Sequence, residues 1–122
     1  NMPLELGLFL GAKKFGGDDQ KNKRVMILDK QAFRYQQFMS DIAGQDIHSH
    51  DGEIGQLIIK LAGWLRRASR RRTVPGGVIL AQEFERFMAA LPIMLKAKQL
   101  DPEDLTYHDE INFVAEWAAQ AA

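Results

Sequence analysis

Cysteine is absent from the 122 residues, which excludes a disulfide framework and a thiolate metal site and leaves nothing that points to an oxidising compartment. Long apolar runs are absent too. The longest, LGLFLGA, falls well short of the roughly 20 residues that a membrane-spanning helix needs, and no signal-peptide pattern precedes it. There is no internal repeat and no low-complexity tract. Together these absences predict a soluble cytoplasmic protein, of a length suited to one domain and with 46% apolar residues to build a core.

Charge is present in balance, 16 basic against 16 acidic side chains, but its distribution is uneven. Residues 1–59 carry 7 basic and 8 acidic side chains, residues 60–78 carry 6 basic and no acidic ones, and residues 79–122 carry 3 basic and 8 acidic. A basic band beside an acidic tail suits self-complementary contacts as readily as a nucleic-acid partner.

Residues 2–15 read as a helix closed by Gly16-Gly17, and the run RVMILD as a short strand buried on both faces. FRYQQFMSDIAG reads as one or two helical turns ending at Gly44, and QDIHSH as a weaker second strand. Asp51 is positioned to cap an amphipathic helix over 52–71, whose apolar stripe includes Ile54, Leu57, Ile58, Leu61, Trp64 and Leu65. TVPGG breaks the chain. A further helix covers 79–90, where Pro92 kinks or restarts it. Asp101 before Pro102 and Thr106 are cap candidates, the latter for a last helix through Ala119. This is a helix-rich α/β pattern with one or two short parallel strands. Such a small sheet is unstable alone, so the strand predicts completion by another copy or by a portion that belongs before Asn1.

The opening NMPLELGLFLGAKKFG poses a chemical question. Glu5 suits the positive end of a helix, but Gly7 and Gly11 each weaken that helix by roughly 1 kcal/mol relative to alanine, so a packed element or a ligand is expected to approach closely. The order of this segment, then RVMILD, then FMSDIAGQDI, resembles the C-terminal half of a bacterial TIR-like (Toll/interleukin-receptor-like) nucleotide-binding domain. In such domains an N-x-x-x-E-L-G segment opens a helix, a strand follows, and S-D-I-x-G precedes the next short strand. The likeness runs from about Asn1 to Ile47, with the helix from Gly52 in the position of the domain's last helix.

The resemblance implies a partial flavodoxin-like three-layer fold over residues 1–72, with 73–122 as a helical extension outside it. It also implies a function: cleavage of the nicotinamide–ribose bond of NAD by an assembled effector, in the setting of bacterial defence, with NAD as substrate and no separate cofactor. Glu5 matches the catalytic glutamate, and Gly7 and Gly11 would let backbone or ligand come close. Because nicotinamide leaves a cationic pyridinium as a neutral molecule, a single carboxylate can serve by stabilising the oxocarbenium-like transition state. Loops after earlier strands of the fold would also hold the nucleotide, and none lies in this sequence. The chain by itself is therefore expected to be half a site and inactive. The competing reading is a non-catalytic module for self-association or protein interaction; both readings predict a homo-oligomer.

Other residues rank lower. Ser40 and Asp41 suit turn-capping, and Gly44 a backbone position that other residues resist. His48 and His50 share a strand face but lack a third ligand, so no metal site is expected. The arginines of RRASRRR (Arg66, Arg67, Arg70, Arg71 and Arg72) complement a helix C-terminus, and nucleic acid is the less favoured partner for them. Trp64 falls on the apolar stripe of its helix and reads as core. Phe84, Phe87, Met88, Met94, Phe113 and Trp117 have helical spacing and read as core or interface.

Overall fold

A computed structural model describes residues 2–37, 45 and 47–121. In chain order these form α1 (Met2–Phe15), α2 (Asp18–Lys21), β1 (Ile27–Asp29), a 3-10 turn at Arg34–Gln37, β2 (Ile47–Ser49), α3 (Ile54–Ser69), α4 (Gly77–Ala97), a 3-10 turn at Pro102–Asp104, and α5 (Tyr107–Ala121). The chain is thus helix-rich, with one small parallel sheet. Ile27 pairs with Ile47, Leu28 with His48 and Asp29 with Ser49. The strands are shorter than the apolar run suggested, and they are half-buried instead of buried on both faces. Among the described residues no third strand joins them. The expected turn residues Ser40, Asp41 and Gly44 lie outside the described residues.

The sheet is fastened at its C-terminal end. The His50 N–H donates to the Asp29 carbonyl at 3.0 Å, and the Lys60 ammonium of α3 donates to the Ser49 carbonyl. Asp51 does not cap α3. Asp51 and Gly52 both take positive φ (54° and 85°), which turns the chain out of β2 and delays the helix to Ile54. Glu53 occupies the cap position without a side-chain cap bond.

Helices α3 and α4 approach each other closely because small residues meet there. A β-carbon on Gly77 would lie 2.6 Å from the Ile59 α-carbon and 2.8 Å from its carbonyl oxygen. One turn further along each helix stand Ala62 and Ala81, both buried. Gly77 is therefore inside α4, so the helix starts earlier than the glycine pair suggested. It also continues through Pro92. The proline's missing N–H and ring disturb one turn, but buried Phe87 and Leu95 on either side anchor the helix to the core while Pro92 faces outward. Gln99 closes α4 at φ 55°, with the Leu100 N–H donating back to the Leu95 carbonyl at 3.0 Å.

The core sits between α4 and α5. Phe87, Leu95 and Phe113 are buried, with Leu91, Met94, Leu100, Leu105 and Trp117 packed around them. Trp117 meets Phe87 edge-on at 6.1 Å and donates its indole N–H to Glu83 at 2.8 Å. Both expected caps form. Asp101 accepts from the Glu103 N–H at 2.9 Å, and Thr106 and Asp109 cap α5 reciprocally, the Asp109 N–H donating to the Thr106 hydroxyl at 3.2 Å. Met88, expected in the apolar set, is exposed at 47%.

Two glycine substitutions should move stability in opposite directions. Gly77→Ala forces α4 away from α3 and should lower the unfolding free energy by about 1–3 kcal/mol in a urea titration. Gly7→Ala, whose β-carbon meets no atom within 4 Å, should raise it by up to about 1 kcal/mol.

Candidate functional site

The first turns of α1 lie beside β1 and the 3-10 turn that follows it. Between them is a hollow of about 410 Å³, within the roughly 300–1,000 Å³ typical of small-molecule sites. Its floor is apolar, with Leu6 and Phe9 from α1 and Val25 to Leu28 from the strand segment. Its polar groups are Glu5, Asp29, Arg34 and Tyr35. Ligands of open parallel sheets bind at the carboxyl ends of strands, and Asp29 is the last residue of β1.

The turn explains how Arg34 arrives there. Phe33 takes φ 61°, unusual for a bulky residue, and this reverses the chain so that Arg34 points back at the strand end. Arg34 Nε donates to Asp29 Oδ1 at 2.7 Å, and Nη2 lies 2.5 Å from the same oxygen. That hydrogen bond holds the Asp29 carboxyl below its usual range, outweighing the opposite effect of burial, and the carboxylate in turn raises the Arg34 guanidinium. Asp29 is thereby kept as an anion, unsuited to donating a proton, and its charge is offset by Arg34. Glu5 is exposed at the rim of the same hollow.

The structure brings Glu5 together with three polar residues that reasoning from the sequence did not single out. Asp29 had a signal, a carboxylate ending an apolar strand run. Arg34 and Tyr35 had none, since the left-handed turn at Phe33 delivers them. A β-carbon at Gly7 or Gly11 meets nothing within 4 Å, so no packed element among the described residues uses the space they leave. His50 Nδ1 accepts from the Gly52 N–H at 3.3 Å, and no group of three metal-ligating side chains occurs among the described residues. No described helix is long and apolar enough to cross a membrane. Comparison with known proteins adds no relative: the chain matches no family model, no curated protein and no solved structure.

The Asp29–Arg34 pair has a pH signature. Because the folded carboxyl titrates below its ordinary value of 3.8, its contribution to stability is present above that value and is lost as pH falls through the folded pKa. Arg34→Ala should move the Asp29 titration upward in a carboxyl-carbon NMR experiment. Its stability deficit should appear at neutral pH and vanish in acid, where Asp29 is protonated in both proteins.

Proposed function

We propose that the hollow between α1 and β1 is part of a nucleotide site, in which Glu5 acts on the nicotinamide–ribose bond of NAD within a TIR-like effector. The observation that carries this reading is the placement of Glu5. It stands with Asp29, Arg34 and Tyr35 over an apolar floor, at the carboxyl end of a parallel strand. An apolar floor accommodates a ring, and a carboxylate at the rim can face the positive charge that develops on the ribose as nicotinamide departs. Glu5 acts electrostatically in this scheme. Asp29, its charge offset by Arg34, orients that guanidinium, whose remaining donors can reach hydroxyl or phosphate oxygens of a ligand. The leaving group needs no general acid. The rest of the nucleotide site would come from an assembled or larger form of the protein.

A second reading is an interaction module, and a specific observation favours it. Leu4, Leu8 and Phe15 fall at helical spacing on the outer face of α1 and are 60%, 67% and 81% exposed. Apolar residues at this spacing on an uncovered face are what a partner surface or a second copy would bury.

Nicotinamide release from NAD by the longest chain of this reading frame, assembled at high concentration, separates the two. Glu5→Gln should lower release by about a hundredfold or more while leaving the fold intact, as loss of one preorganised electrostatic group does. No release from the assembled parent would falsify the enzymatic reading and leave the interaction module.

A further inference from the structure

The other end of α1 has the opposite character. The C-terminal turn of α1, the segment after α2 and the face of α3 enclose an open hollow of about 460 Å³. Among the described residues its charged lining is Lys13, Lys21, Lys23 and Arg24, with no acidic side chain, and Trp64 of α3 forms its aromatic wall. Two of these cations are not ordinary solvated lysines. Lys13 and Lys23 are half-buried, and neither has a carboxylate within 4 Å among the described residues. Lys23 sits 5.1 Å above the Phe9 ring, in cation–π contact with it. Among the described residues only Lys21 of this set is paired, with Asp18 at 2.6 Å, and both are exposed enough that water competes for them.

The macrodipole of α1 accounts for Lys13, but Lys23 and Arg24 lie outside any helix. Trp64 is the second independent feature. The other tryptophan, Trp117, packs against the core and donates to Glu83; Trp64, also half-buried, stands on the wall of the basic hollow. One turn beyond it Arg67 folds back along α3, its Nη1 3.6 Å from where a Gly63 β-carbon would be. Cations that converge on one hollow demand an anion, and an aromatic wall among them offers a face for a planar base. An acidic peptide would satisfy the cations and leave Trp64 unused.

We propose that this basic hollow binds a ligand carrying both phosphate and a nucleobase, with Lys13, Lys23 and Arg24 on the phosphate and Trp64 against the base. The site is distinct from the Glu5 hollow. Glu5 and Lys13 stand eight positions apart on α1, about 12 Å along the helix axis. A free nucleotide and single-stranded nucleic acid share this chemistry, and the experiment separates them.

The test uses the full chain at low salt, with a fluorescein-labelled single-stranded oligothymidylate followed by anisotropy and ADP followed by calorimetry. At least one probe should bind, with affinity falling as salt rises. Lys23→Gln/Arg24→Gln should weaken that binding about tenfold or more, and Trp64→Leu about fivefold or more, with helicity unchanged by circular dichroism. Binding of ADP assigns the site to free nucleotides; binding of the oligothymidylate alone assigns it to single-stranded nucleic acid. Three outcomes overturn the proposal. One is no binding of either probe. Another is loss of binding in Arg71→Gln/Arg72→Gln with none in Lys23→Gln/Arg24→Gln, which moves the contact to the end of α3. The third is displacement by polyglutamate together with an indifferent Trp64→Leu, which leaves a surface that reads only negative charge.

Discussion

The absence of a side chain at Gly77 allows α4 to rest against the backbone of Ile59, and much of the molecule follows from that contact. Helix α3 is a shared wall. Its Lys60 holds the last carbonyl of β2, its Ile59 and Ala62 region receives α4, and its Trp64 borders the basic hollow. Interhelical distance at such a crossing is set by the residues at the contact, so a single methyl group there would shift one helix relative to the other. The strand-bearing half and the helical half are therefore coupled through one element, even though the main core lies in the second half alone.

Apolar surface is divided unevenly between those halves. Phe87, Leu95 and Phe113 are sealed between α4 and α5, with their neighbours arranged around them. In the first half, α1 covers only the side that bears Leu6 and Phe9, leaving Leu4, Leu8 and Phe15 in solvent. A helix apolar on nearly every side is normally enclosed. The two short strands offer no second layer that could enclose it, among the described residues. Both functional readings meet at this point, since an assembled effector and an interaction module each need that face covered.

The polar chemistry sorts along the same helix. At the N-terminal end of α1, a carboxylate and the Asp29–Arg34 pair overlook an apolar floor; at its C-terminal end, lysines gather around an aromatic wall. The two hollows share Val25, which lies just ahead of β1. Net charge is zero for the whole chain, so this polarity arises from placement and not from composition. Charge gathered into a concave surface attracts an opposite charge more strongly than the same groups scattered over a convex one.

Local rules wrote most of the helices into the sequence. Apolar periodicity marked α3 and α5, Asp101 and Thr106 announced their caps, and VMILD announced a strand, because each depends on residues only a few positions apart. Glu5 was legible as a lone carboxylate opening an apolar helix. The sequence could not show that α4 passes through Pro92, since that depends on Phe87 and Leu95 being anchored by α5 and the chain that precedes it. Nor could it show that Asp29 is clamped by Arg34, which depends on the left-handed turn at Phe33, or that Trp64 leaves the core to face Lys13 and Lys23. By itself the sequence determined most of the element types and, of the residues around the first hollow, Glu5. Only the tertiary structure decided which of those residues face one another, because contacts between distant segments depend on how helices and strands pack, and local propensity does not encode that.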